Sequence, residues 1–510
     1  MFKVLRPLAD AYIHNRVIDG SIQSGSNVGA AGSLDLFKLY GTSQTRSGST
    51  LLDNTELSRL LVKFDLAPLR TAVAAGQIDP TNSSFSCKLH LYDVYGGQPT
   101  PSNFTVAVYP LSASFDEGLG KDVVGYSDYD VCNFLSASRV GGAWYVSGCA
   151  LAGGAQQTCD YITGSAFILN HANLVKSQVF VTGEEDLDID VTTIVSATLA
   201  GLLPDVGMRI SLDSTLETDQ HTYFVKRFAS RKAFNEDLRP KMFVRYDDSV
   251  QDDTNNLYLD ARGSLFLYNY VQSSPANLAS GSSLTSITGS NSLILQMKTG
   301  ISGGTYSLYF TGSQHYAGIN PAEGIYSASV LIPSTNTSLA ESLRVSGSIT
   351  FTPIWQSFDG LTTYLTGSDV KVYSPQRGAK SLPTKTLNVT VLGLQDSYES
   401  TSVAAPRINI FDYTSPMITV VRVPVELPGV VIRDVHYQVR DAVTNLVAIP
   451  FDVTTNSTRV SNDSTGMFFT LDMSNLTAGH SYVIDVLIVT GNNRQLFKSA
   501  SQAFRVDVTT

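Results

Sequence analysis

The chain has 510 residues, too many for one core, and its length implies about two to four domains. Only 16% of the residues are charged, against roughly 25% in ordinary globular chains, with Ser, Thr, Gly, Asn and Tyr filling the gap. The net charge of −10, from 35 basic and 45 acidic residues, argues against a nucleic-acid-coating role, which needs clustered Lys and Arg to release counterions. The N-terminus carries Lys3 and Arg6 without an apolar signal core, so no secretory signal is expected. No run approaches the ~18 apolar residues of a membrane span. The longest, Val420–Ile432, is broken by Arg422, Pro424, Glu426 and Pro428, so membrane insertion is not expected.

In chain order, the first strand signal is Asp10–Ile13, followed by a Gly/Ser/Asn loop at Ser24–Gly32. Leu57–Leu61 reads as a turn into a strand at Leu60–Leu66, with Leu60, Val62 and Phe64 inward and Arg59, Lys63 and Asp65 outward. Ser86–Val94 and Thr105–Tyr109 follow as strands. Thr192–Ala200 is the best helix, with Asp190 as its N-cap and Gly201 as its stop. Met242 and Val244 share one face of a strand entered through Arg239-Pro240, since a residue before proline is driven into an extended conformation. Asp247–Asn256 is nearly devoid of apolar residues and reads as a linker. Short strands at Ser264–Tyr270, Ser292–Met297, Thr305–Phe310, Tyr326–Ile332, Ser348–Ile354 and Tyr482–Val489 follow; Ser280–Ser290 and Ile301–Gly304 read as connections. This spacing predicts an all-β chain of consecutive β-sandwich domains over 1–249, 250–415 and 416–510.

Several landmarks of the first block resemble, in order, a family of extracellular and phage-borne sandwiches, the DNRLRE or carbohydrate-binding-module-96-like domain. Asp10-Ala11-Tyr12-Ile13 is similar to its opening "DTYI" element, and Ser58–Leu66 to its "R-x-L-L-x-F-D-L" strand. Phe115-Asp116-Glu117-Gly118 resembles its "W-x-E-G" element, Trp144 its downstream Trp, and Asp190–Val195 its "D-V-T-x-L-V" turn. Phe228-Ala229-Ser230-Arg231, Arg239-Pro240 and Tyr246 resemble its closing "FASR…RP…Y". Residues 250–510 resemble, as a type, structural proteins of tailed-bacteriophage virions, in Tyr258–Val271, Tyr306–Gly312, Arg407–Pro416 and Val423–Val430. These resemblances imply a jelly-roll-like second block. In the third block, Leu476–Val486 resembles the corner of fibronectin-type-III and immunoglobulin-like sandwiches, in which a Tyr hydroxyl locks the preceding loop. Leu476, Gly479 and Tyr482 would form that structural corner, with Ala478 at the usual proline position.

Catalytic signatures are missing. There is no GxSxG elbow and no HExxH, and Gly120-Lys121 is followed by Asp122 where a phosphate loop needs Ser or Thr. The seven histidines are scattered. No enzymatic activity and no cofactor are expected. Among the cysteines 87, 132, 149 and 159, Cys149 and Cys159 bracket a loop and could bridge; reduced thiols are the expected state. Asp188 and Asp190, on one strand face beside Glu184–Asp186, are Ca²⁺ candidates against the simpler reading of a solvated acidic loop, and Asp128 and Asp130 pose the same choice. Trp144 and Tyr145 are candidates for stacking on a sugar, with a core role for Trp144 as the alternative. Arg227, Arg231, Lys232, Arg239 and Lys241 form a basic patch suited to a subunit contact. The expectation is a structural protein of a tailed-phage virion, assembled in the host cytoplasm. It would serve in the neck, collar, tail or fibre attachment, bound to copies of itself and to other virion proteins in a ring or appendage symmetry. The alternative is a glycan-binding adhesin or receptor-binding tail protein that contacts a host surface glycan.

Overall fold

The computed structural model describes residues 1–47, 49–75, 77–94, 101–121, 131–139, 142–150, 160–162, 174–254, 257–272, 274–280, 284–301, 304–317, 320–374, 386–412, 430–463, 465–491 and 493–508. About 51% of the chain is strand and 9% helix, so the protein is all-β, built of consecutive sandwich-type domains. The chain divides into two compact units, one of residues 3–71 and 85–245, the other of 1–2, 72–84 and 246–510.

In the first unit, a seven-stranded sheet runs Lys176–Phe180, Phe104–Pro110, Met208–Leu212, Thr50–Phe64, Ser33–Ser47 and Tyr223–Ala229, with Pro7–His14 also paired to Thr50–Phe64. A four-stranded sheet runs Phe2–Leu5, Lys241–Arg245, Ser86–Leu91 and Leu187–Asp190. The expected turn at Leu57–Leu61 is instead continuous strand. Residues 56–62 of this strand are also buried on both faces. Leu61 packs with Ala11, Ile13, Ala107, Tyr109 and Trp144 in a second core, and Arg59, expected outward, is buried on that same side. A consecutive Leu60-Leu61-Val62 run in a central strand meets apolar matter on both sides. The helix forms at Thr192–Leu199; Thr192 N–H donates to Asp190 Oδ1 at 2.8 Å, and Gly201 takes φ +74° after it. Three further helices, Ala67–Ala74, Ser214–Thr218 and Thr337–Ser346, are not among the expected elements.

In the second unit, one eight-stranded sheet runs Leu257–Tyr258, Val370–Tyr373, Ser348–Ser357, Leu293–Ile301, Gly304–Ala317, Asn320–Leu331 and Arg262–Tyr268, with Thr363–Thr366 added on Ser348–Ser357. Its two edge strands are near neighbours in sequence and touch, so the sheet curls on itself. Leu295, Met297, Tyr326, Phe351 and Trp355 fill its interior, together with Leu339 and Leu343 of helix Thr337–Ser346. The last sandwich sets Leu387–Leu392, Arg407–Asp412, Gly466–Phe468 and Ser461–Asp463 beside a second sheet of Ser397–Glu399, Phe504–Asp507, Ser481–Thr490, Val435–Asp441 and Val447–Ile449. Its strands therefore begin at 387, ahead of the expected boundary at 416. The expected linker is packed as well. Asp252 and Asp253 are buried; Asp252 N–H donates to Asn462 Oδ1 at 3.0 Å, and Asp253 takes the Arg433 guanidinium and the Ser264 N–H. Acidic residues that look like a solvated linker are here buried, and the Asp253 carboxylate is the acceptor that joins Ser264 to Arg433.

Candidate functional site

Three of the landmarks singled out in the first block converge. Asp10 N–H donates to Glu117 Oε1 at 3.0 Å, Arg231 Nη2 donates to Glu117 Oε2 at 2.6 Å and its Nε to Glu117 Oε1, and Arg231 N–H donates to Asp10 Oδ2 at 2.5 Å. Asn27 ties the same loop: its Nδ2 donates to Glu117 O and Cys132 O, and its Oδ1 accepts the N–H groups of Gly29 and Gly120. A Cβ on Gly29 would lie 1.7 Å from Glu117 O, so only glycine permits this approach. Burial pushes the Asp10 carboxyl up to about 7; the Arg231 N–H opposes this and the Glu117 charge adds to it. A carboxyl raised by burial can in principle serve acid–base chemistry. Here Asp10 is fully enclosed and Glu117 is spent on a two-point guanidinium pair, so the cluster works as a clamp between the opening strand and the two loops.

The second buried cluster takes only Arg59 from those landmarks. Arg59 donates to Glu217 at 2.9 and 2.8 Å, and Arg209 donates to the same carboxylate at 2.9 and 3.0 Å. The Arg209 guanidinium also lies over the Tyr109 and Tyr161 rings, 5.2 and 4.4 Å from their centroids. Burial raises the Glu217 pKa, but hydrogen bonds from Arg59 and the two positive charges outweigh it, leaving the carboxyl below its ordinary value. An Arg inside the apolar run Met208–Leu212 is the one local hint of a buried pair.

Four of the five residues of the basic patch are engaged within the chain. Arg227 makes a two-point pair with Asp35 at 2.7 Å, Arg231 holds Glu117, and Arg239 pairs with Glu236 at 2.8 Å. Lys241 donates to Asp237 O at 2.9 Å and lies over the Tyr92 ring. Lys232 is exposed. The patch is thus a self-satisfied loop, whose tip instead presents Phe234 fully to solvent. Asp188 and Asp190 do share the outer face of their strand, but Asp188 pairs with Lys88 at 2.9 Å and Asp190 accepts the Thr192 N–H. Among the described residues no group of three His, Cys, Asp or Glu is placed to hold a metal ion. Trp144 is only 5% exposed and its Nε1 donates to Asn133 O at 2.8 Å, so its ring is not open to a sugar; Tyr145 alone is exposed. At the corner that the resemblance implies, Tyr482 Oη donates to Thr477 O at 2.9 Å and accepts the Thr477 N–H at 3.0 Å, with Leu476 buried and Gly479 at φ +89°. Cys149 is buried with its Sγ toward Asp160 O, while Asp128, Asp130 and Cys159 lie outside the described residues.

Two open surfaces stand out among the described residues. The hairpin of Ser33–Ser47 and Thr50–Phe64 runs past its neighbours: Tyr223–Ala229 pairs only as far as Lys38, and Pro7–His14 only from Ser58. Beyond these, Gly41 and Thr42, Gln44 and Thr45, and Leu52 and Asp53 are exposed as consecutive pairs, so neither face of the arm is covered. In the second unit, a groove of about 1070 Å³ lies against the eight-stranded sheet and helix Thr337–Ser346, lined by Lys298, Glu341, Asp369 and several Ser and Thr hydroxyls. Next to it on the sheet, Gln296 donates to the hydroxyl of Tyr309, whose ring is 63% exposed, and Thr352 donates to Asp369 at 2.8 Å.

No protein-family model and no curated protein matches this chain. Among solved structures, the N-terminal Ig1-2 module of the Drosophila receptor protein tyrosine phosphatase DLAR is similar over 51% of this chain and 95% of that one, at 8% identity and a TM-score of 0.14. A tetra-tandem repeat from the extending region of a large adhesion protein is similar over 97% of this chain and 99% of its own, at 11% identity and 0.15. Chicken CNTN1 domains FN1-FN3 are similar over 56% and 82%, at 12% identity and 0.14. Superpositions at this level carry no argument; the all-β architecture rests on the strand pairing of the chain itself.

Proposed function

We propose that this chain is a structural component of an oligomeric particle, the virion of a tailed phage, in its neck, collar, tail or fibre attachment. The carrying observation is the arm at residues 41–54. A two-stranded ribbon with both faces in water is marginal by itself. It also leaves unpaired N–H and C=O groups along both edges, which another strand can satisfy. Exposed apolar side chains at other hairpin tips support the same reading: Val443, Leu446 and Val447 on one, Phe358, Leu361 and Leu365 on another. The chain would act by presenting these surfaces to its own copies and to neighbouring virion proteins. The test is quantitative proteomics and imaging of purified particles of the source phage. The expected result is several copies per particle, in a number set by ring or appendage symmetry, located at the neck or tail. Its absence from the particles contradicts the proposal.

A second reading, glycan binding, is favoured by the groove beside Tyr309. Hydroxyls, amides and one open aromatic ring on a flat sheet face suit a sugar, which offers hydroxyls at its rim and C–H groups on its face. On this reading Tyr309→Ala abolishes binding of a host-surface polysaccharide in calorimetric titration while Tyr145→Ala leaves it unchanged; equal loss in both variants, or in neither, contradicts it.

A further inference from the structure

Lys226 lies in strand Tyr223–Ala229 with its side chain 1% exposed. Its Nζ donates to Asp93 Oδ1 at 2.6 Å and to Gly183 O at 2.7 Å. The rings of Phe180 and Phe228 close over it, 5.3 and 5.1 Å from Nζ to their centroids. Asp93 is fixed in turn: its N–H donates to Asp186 Oδ1 at 2.6 Å, and it forms a β-bridge with Phe228. The Asp93 carboxyl keeps 20% exposure, so one side of the pair faces the exterior. Lys38 is a useful contrast. Its Nζ donates to Leu216 O, Asp219 O and Asp219 Oδ1, which uses all three ammonium hydrogens. Among the described residues, Lys226 Nζ has two oxygen acceptors and two phenyl rings over it.

We propose that Lys226 and Asp93 join in an intramolecular isopeptide bond. An amine and a carboxyl held in contact by the fold have lost the translational freedom that makes amide formation slow between free groups. A water-poor site also lowers the cost of converting the ion pair to its neutral form. In that conversion one proton passes from Nζ to the Asp93 carboxylate, leaving a neutral amine and a neutral acid. The amine lone pair adds to Cγ, and the carbonyl π electrons move to oxygen. A proton from Nζ then reaches the departing hydroxyl, the Cγ–O bond breaks, and water leaves by the exposed side of Asp93. An amide between Nζ and Cγ remains. One molecule of water is released, and no oxidant, reductant or cofactor takes part. The bond ties edge strand Tyr223–Ala229 of the seven-stranded sheet to the segment following Ser86–Leu91 of the four-stranded sheet, a covalent staple across this sandwich that does not depend on what the chain assembles with.

The experiment is intact-mass and peptide-mapping mass spectrometry of the denatured full-length chain. The expected mass is one water below that of the sequence. Digestion should release a branched peptide joining the Asp93 and Lys226 segments, with no tryptic cleavage after Lys226. Lys226→Arg and Asp93→Ala should each restore the full mass. A wild-type chain of full mass with separate, unbranched Asp93 and Lys226 peptides overturns the proposal, and this result requires no variant to fold. A Lys226→Arg chain that still lacks one water overturns it as well.

Discussion

The N-terminal unit buries Arg59, Arg209 and Lys38, each against a carboxylate. The curled eight-stranded sheet closes over Leu295, Met297, Tyr326, Phe351 and Trp355, and among the described residues of 257–373 the buried polar side chains are Thr299 and Gln314, neither of them charged. The two regions therefore fail differently. An apolar core loses stability in proportion to the cavity a substitution leaves. A core of ion pairs loses little if both partners go and a great deal if one goes, because the remaining charge is stranded. The first kind tolerates changes of pH; the second does not.

The sharpest way to break this contrast is Glu217→Ala, which strands two guanidinium groups. It should destabilise the N-terminal unit by about 3–5 kcal/mol, read as lost hydrogen-exchange protection in residues 58–64 and 208–212. Protection of 293–297 should be unchanged. If Glu217→Ala costs less than Leu295→Ala, about 2–5 kcal/mol for a buried leucine, the paired charges are not what holds the first unit.

The pH response should also separate the regions. The folded Asp10 pKa, about 7, stands above its unfolded value near 3.8, so the native state binds the extra proton. Its contribution is fully present below pH 4 and is lost as pH rises to about 7. His14 has the opposite sign: burial lowers it to about 4, so its contribution is present above pH 6.5 and is lost as pH falls. The two partly cancel in the wild type. Asp10→Asn removes the first, and its stability relative to wild type should rise by on the order of a few kcal/mol between pH 4 and 7. A constant difference across that range contradicts the buried acid.

Smaller effects test single bonds in the second unit. Tyr482→Phe deletes the corner hydroxyl and leaves Thr477 unpaired, costing the last sandwich about 1–2 kcal/mol in denaturant melts. Asn336 Oδ1 accepts the Leu339 N–H at the start of helix Thr337–Ser346, and Asn336→Ala should cost about 1 kcal/mol. Neither change should alter exchange in the N-terminal unit.

What the sequence makes legible follows the same division. The strands, the helix at Thr192–Leu199 and the Tyr482 corner each depend on residues a few positions apart, so spacing reveals them. Glu217 lies far along the chain from Arg59, and nothing near either position marks them as partners. Trp144 looks like an open aromatic until it is seen packed with Leu61, Tyr109 and Phe115. The basic loop looks like an interface because its acceptors, Asp35 and Glu117, come from distant segments of the chain. Asp252 and Asp253 look like linker for the same reason. The arm at 41–54 escapes notice because its strands read like any other hairpin; only the missing neighbours distinguish it.

Native mass spectrometry of the full-length chain, beside a variant in which residues 42–53 are replaced by a two-residue turn, tests the assembly role most directly. The account predicts a defined multimer for the full chain and a folded monomer for the shortened one. A full chain that remains monomeric, or a shortened chain that still forms the same multimer, contradicts it.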